Sequence, residues 1–204
     1  ALMATHYEFL QHHLTRDFLN KIINGRTALW SASKGTADIG VSLEIMHATH
    51  GEGELALHFG VNSTEVYVLS FVIAPARLLG FDADFALFVT RLQGTLGHAG
   101  LVRLATKAMG EVSPALVLMA TLQGIALALG IRHVLGISAR AQLCTAGEPV
   151  TPEFISAYDD FWASIEGRRL NSGHFHFPVP FPEKSLGVIK QNHRSRVRNR
   201  RAFR

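Results

Sequence analysis

Apolar residues at Tyr7, Leu10, Leu14, Phe18 and Ile22 recur in steps of three and four, which predicts one amphipathic helix over residues 6–24 with Gly25 as its stop. The period then shortens. Residues 27–33, 41–47 and 53–60 read as short strands, punctuated by Lys34-Gly35 and by Gly51-Glu52-Gly53. Over residues 65–74, Val66, Val68, Ser70 and Val72 alternate with Tyr67, Leu69, Phe71 and Ile73. Both sets are largely apolar, as in a strand buried on two faces, and Pro75 ends it. Residues 85–94 form the next strand, and residues 101–109 a short helix closed by Gly110. Ser113-Pro114 then supplies a favoured N-cap and a favoured first helical residue. Residues 115–129 are apolar nearly all round, apart from Thr121 and Gln123. A strand over 133–138 follows. Thr151-Pro152-Glu153 opens a last helix with Phe154, Tyr158, Phe161, Trp162 and Ile165 on one side and Gly167 as its end. In the final strand, over 174–179, Phe175 and Phe177 face one way and His174 and His176 the other.

Two apolar strands, 85–94 and 133–138, joined through helices predict a parallel pair at the centre of a sheet. The fold class expected is α+β, a mixed central β-sheet flanked by helices, with any ligand sitting where strand ends meet helix N-termini. The long apolar helix is shorter than the ~20 residues a bilayer requires, so it is read as a helix buried against the sheet and not as a membrane span. Residues 1–183 are expected to form a single domain and residues 184–204 a basic tail.

Charge changes the picture of that tail. Residues 190–204 carry seven of the 20 Lys and Arg and no acid, leaving 13 bases against 16 acids in the rest. The net charge of +4 therefore belongs to the tail, which weakens any case for a nucleic-acid-binding face on the domain and points to acidic partners of the tail instead. One cysteine, Cys144, excludes an intramolecular disulfide. Together with the lack of a visible signal-peptide pattern, it predicts a reducing compartment, the cytoplasm.

Candidate chemistry is sparse. His6, His12 and His13 on the first helix are read as solvent-facing polar residues. His47, His50 and His58, with Glu52 and Glu54 nearby, match no defined zinc spacing, and they fit the polar side of an antiparallel sheet, so no metal ligands are assigned. Gly94, Gly97 and Gly100 open the backbone after the 85–94 strand, in neither a P-loop nor a Rossmann pattern. The amino end of the Pro114 helix, at Val112, Ser113 and Ala115, offers free N–H groups to an anionic ligand.

Two resemblances add to this. Tyr158-Asp-Asp-Phe-Trp-Ala-Ser-Ile-Glu-Gly167, followed by a strand at Phe175, is similar to the closing helix of the N-acetyltransferase-like fold, and the order of elements before it is that fold's order. More closely, the chain resembles the VirK/YbjX family of bacterial proteins along nearly its whole length. The likeness is carried by His6-Tyr7, Lys34-Gly35, Glu52-Gly53-Glu54-Leu55, Val66-Tyr67-Val68-Leu69-Ser70-Phe71, Leu92-Gln93-Gly94, Ala105-Thr106-Lys107-Ala108, Leu129-Gly130-Ile131 and Tyr158-Asp159-Asp160-Phe161-Trp162. That family is associated with virulence. The chain departs from it before the long helix, where Met109-Gly110-Glu111-Val112-Ser113-Pro114 lacks an expected Arg; Arg140, at the neighbouring strand end, would supply the missing charge.

These resemblances imply an acyl-group transferase. The donor would be acyl-CoA or a phosphopantetheine carrier protein, the latter met by the basic tail. The acceptor would be an amine on a small molecule or a peptide. Leu92, Gln93 and Gly94 would pair with the pantetheine arm, and Val112, Ser113, Ala115 and Arg140 would hold phosphate. Glu54 and His98 are the candidate bases and Tyr158 the candidate acid, with Gln93 and Lys107 holding the acceptor. The other expectation is a non-catalytic protein of the same fold that binds a ligand or partner.

Overall fold

The computed structural model describes residues 2–46, 52–142, 149–182, 195, 197 and 198. Cys144, His47, His50 and nearly all of the basic tail lie outside the described residues.

Two helices, α1 (Leu2–His13) and α2 (Arg16–Asn24), lead into four strands, β1 (Thr27–Lys34), β2 (Ala37–Ile45), β3 (Leu55–Val61) and β4 (Thr64–Pro75). After a 3₁₀ turn at Ala76–Leu79 come β5 (Phe85–Gly94), α3 (Ala99–Ala108), α4 (Pro114–Ala128) and β6 (His133–Gly136). A short 3₁₀ turn at Ala139–Ala141 precedes α5 (Pro152–Ile155), which continues through a π-helical turn (Ser156–Asp160) into α6 (Phe161–Ser164). The chain then forms β7 (Arg168–Arg169) and β8 (Phe175–Pro178). The eight strands make one mixed sheet in the order β1-β2-β3-β4-β5-β6-β8-β7. Only the β5–β6 pair is parallel; the other neighbours run antiparallel.

The first helix predicted from sequence is two. Thr15 leaves the helical conformation (φ −65°, ψ 149°), and its hydroxyl accepts the N–H of Phe18 at 3.3 Å, starting α2. The apolar spacing runs across the break unchanged because both helices bury the same side, so periodicity alone hides the cap.

One sheet face forms the main core. Leu69, Phe71 and Ile73 of β4 and Leu87, Val89 and Leu92 of β5 cluster there with Phe9 and Leu10 of α1, Ile22 of α2, Ala105 of α3 and Leu118 and Leu122 of α4. Each fully buried leucine of this kind contributes about 1.5–3 kcal/mol. Helix α4 is 15 residues long, and among the described residues no helix is long and apolar enough to cross a membrane. Its one buried polar side chain, Gln123, accepts the N–H of Phe181 through Oε1 and ties the chain after β8 onto the helix. On the opposite face Ala76, Ala86 and Leu135 form a small second cluster, covered by Leu79, Phe81 and Leu170.

His6 corrects the reading of the α1 histidines as solvent-facing. His12 and His13 are exposed, but His6 is fully buried. Strand β3 pairs with β4 only as far as Leu55 opposite Phe71. Beyond that point the N–H of Ile73 donates to His6 Nδ1 at 3.0 Å, so a side chain satisfies a backbone donor that the neighbouring strand no longer reaches.

Candidate functional site

The centre of the sheet is irregular on both sides of β5. Against β4 the register slips between Ser70 and Phe71, whose partners are Arg91 and Val89, so Thr90 is the extra residue of a bulge. The Thr90 hydroxyl donates to the carbonyls of Glu52 and Ser70 and holds the bulge to the segment before β3. Against β6 the parallel pairing covers only Leu87, Val89 and the residue between them, opposite Val134, Gly136 and the residue between those. One more bond, from the N–H of Ile137 to the carbonyl of Val89 at 3.0 Å, extends it. Beyond the bulge the two strands part.

The α5–α6 rod enters this gap. A π-helical turn carries one residue too many for the α-helical spacing, so neighbouring residues can share the inward side. Tyr158 and Asp159 are both buried, as is Trp162 one turn on. The N–H of Leu92 donates to the Tyr158 hydroxyl at 3.4 Å. Trp162 Nε1 donates to the carbonyl of Ile137 at 2.8 Å, and Asp159 Oδ1 accepts the N–H of Ala139 at 2.8 Å. One helix thus satisfies both strands where they no longer pair. Gly136 makes room for it: a Cβ there would lie 2.7 Å from Trp162 Cε2.

A second polar group sits at the start of β3. The Tyr7 hydroxyl donates to Glu54 Oε2 at 2.5 Å. Burial first, then the bond to Glu54 and its charge, push the Tyr7 hydroxyl up to about 12. Burial likewise pulls His6 down, against the opposing pull of Glu54. A neutral His6 that accepts at Nδ1 carries its proton on Nε2, which is buried with no partner. Glu54 is therefore held by Tyr7.

The other predicted site residues scatter. Gln93 and Gly94 are exposed at the end of β5. His98 stands at the N-cap of α3 with no side-chain capping bond, and Lys107 is exposed in its last turn. Val112 and Ala115 are packed into the main core, and Ser113, although at the N-cap of α4, makes no side-chain cap bond. Arg140 is exposed in the 3₁₀ turn after β6, and Glu111 is exposed with a left-handed φ of 69°. Of the set, Leu92 and Tyr158 are brought into contact. A common hollow between the Gln93 strand end and the start of α4 was expected. Neither the groove over β1–β3 nor the groove over β6 and β7 is lined by these two features.

Sequence reasoning missed the charged row on the sheet face away from the helices. His58 is 5% exposed, with Nδ1 2.8 Å from Glu65 and Nε2 2.8 Å from Glu44. Arg26 reaches both acids, at 3.3 Å and 2.6 Å. Burial and Arg26 lower the His58 pKa, while Glu65 and Glu44 pull it the other way. The signal was available: His58 and Glu44 alternate out of the apolar positions of β3 and β2. Among the described residues no three His, Cys, Asp or Glu side chains are grouped to hold a metal.

The match to known proteins covers this whole arrangement. A family model described as a protein of unknown function, DUF535, matches residues 1–203. The chain belongs to the DUF535 family. This is the family that the VirK/YbjX resemblance named. No curated protein and no solved structure matches the DUF535 chain.

Proposed function

We propose that this DUF535 chain is an acyltransferase that takes an acyl group from a phosphopantetheine thioester and passes it to an amine. The observation that supports the reading is the parting of β5 from β6 beyond Val89, beside a bulge at Thr90. A strand edge released from its neighbour can pair with the amides of a pantetheine arm, and the strand order β4-β5-β6-β8-β7 is the one an N-acetyltransferase-like fold would have. The thioester carbonyl would meet the N–H of Leu92, a donor now turned to the Tyr158 hydroxyl. As the amine attacks the carbonyl carbon and the C–S bond breaks, Tyr158 would protonate the leaving sulfur and water would take the amine proton. Gln93, exposed at the end of the same strand, is placed for the acceptor.

The start of α4 bears on the choice of donor. The side chains of Val112 and Ala115, on either side of its N-cap, are packed into the core, which narrows what the diphosphate of coenzyme A could meet there to the half-buried Ser113 and the backbone. A carrier protein presents its arm through a single phosphate and brings its own acidic surface, so it suits the chain better. A second reading, a non-catalytic binding protein of the same fold, is favoured by the filling of the gap by Tyr158 and Trp162 and by the capture of Glu54 by Tyr7.

Thiol release separates the two. A panel of acyl-CoA and acyl-carrier-protein donors with amine acceptors should give release above the spontaneous rate, falling about tenfold or more in Tyr158→Phe. Donors that bind without any turnover across the panel would select the second reading.

A further inference from the structure

A groove of about 660 Å³ crosses the sheet face opposite the main core, over β6 and β7. It falls in the size range of small-molecule sites, about 300–1,000 Å³. Its floor is apolar: Leu79, Phe81 and Leu135 line it. Phe81 packs on His133 and His176, with ring centroids 4.8 and 4.5 Å away, and this aromatic layer closes the floor from beneath. At the rim Leu78 is 66% exposed, which extends the apolar surface outward.

Hydrogen-bond donors also line the groove. Arg168 is exposed and forms no ion pair among the described residues. Its neighbour Arg169 differs: Asp159 lies 3.5 Å from its guanidinium, which also sits 5.6 Å from the centre of the Phe175 ring. Asn171 and Ser172 add an amide and a hydroxyl. His174 Nδ1 accepts the N–H of Ser138 at 3.3 Å, and burial lowers its pKa, so the neutral ring keeps its proton on Nε2 and offers a donor there. Among the described residues no carboxylate lines the groove.

An apolar floor bordered by an unpaired cation and neutral donors, with no acid among the described lining residues, is complementary to one kind of molecule. We propose that this groove binds a single amphiphile, its carboxylate or phosphate head at Arg168, Asn171 and Ser172 and its hydrocarbon body along Leu79, Phe81 and Leu135. The site stands apart from the proposed acyl transfer and needs no reaction to be detected.

Calorimetry on the full chain tests it with octyl phosphate and octanoate as monomeric probes, octyl glucoside as the neutral-headed control, inorganic phosphate as the headgroup alone, and phosphatidylglycerol vesicles as the bilayer source of the same chemistry. The result expected is saturable one-site binding of octyl phosphate or octanoate, about tenfold tighter than either octyl glucoside or inorganic phosphate. Arg168→Gln should weaken the anionic probe about tenfold and leave octyl glucoside unchanged, and Leu78→Ser should weaken it by about threefold or more. Both positions are exposed, and unchanged melting temperatures would show that the fold survives. The proposal is overturned by equal affinity for octyl glucoside, by binding indifferent to both substitutions, by absence of saturable binding to the monomeric anions, or by binding to the vesicles alone.

Discussion

Gly136→Ala probes the wedge that separates β5 from β6. The added Cβ would lie 2.7 Å from Cε2 and 2.8 Å from Cδ2 of Trp162, distances that real side chains do not tolerate. Trp162 cannot swing away, because it is fully buried and its Nε1 is bonded to the Ile137 carbonyl at 2.8 Å. Overpacking of this kind costs about 1–3 kcal/mol. Trp162→Ala removes the whole indole that the new methyl meets and costs about 3–5 kcal/mol through the cavity left and the Ile137 carbonyl left without its donor. If the clash is what makes alanine costly at position 136, the double variant should lose at least about 0.5 kcal/mol less than the sum of the two single variants. Urea unfolding of the four proteins, read by far-UV circular dichroism, supplies the cycle. Additive costs would refute the wedge.

Three further outcomes follow from the same contacts. Tyr158→Phe leaves the Leu92 N–H without its partner and should lower stability by about 1 kcal/mol in the same urea assay. His6→Leu strands the Ile73 N–H in the core and should cost about 1–3 kcal/mol, with faster amide exchange at the outer end of β4. The pH dependence comes from the histidines under Phe81: burial first, then the charges of His133 and Arg168, push His176 down to about 4 from 6.5. The unfolded chain therefore binds the proton more readily, so this contribution is fully present above about 6.5 and is lost as the pH falls towards about 4. Melting temperatures across that window should fall with acid, and the fall should be shallower in His176→Gln.

Much of the sheet was legible because its strands obey simple patterns. β4 reads as a doubly buried strand from Val66 to Ile73, and β5 was bounded at Phe85 and Gly94, where the structure has it. The parallel β5–β6 pair followed from two apolar strands joined through helices, which antiparallel hairpins do not require. What escaped was whatever a side chain does to a distant backbone. Nothing local marks His6 as the acceptor for Ile73, 67 positions away. The π-helical turn at Ser156–Asp160 was equally hidden, since Phe154, Tyr158, Phe161, Trp162 and Ile165 fit α-helical spacing almost as well. The two-residue strand β7 is too short to show any alternation. Of the residues named from the resemblance, Tyr158 and Leu92 lie in contact, a pairing that the sequence alone did not indicate. At the start of α4 the Ser-Pro pair marked the first helical turn, while the packing of the Val112 and Ala115 side chains into the core had no local mark.

The most direct measurement is amide hydrogen exchange along β5 and the segment after β6, with and without a carrier protein bearing an acylated phosphopantetheine arm. The account predicts new protection confined to residues 90–94 and 137–139, with the Leu92 amide among the most affected. Protection elsewhere with none at those residues, or none at any acyl length, would contradict it.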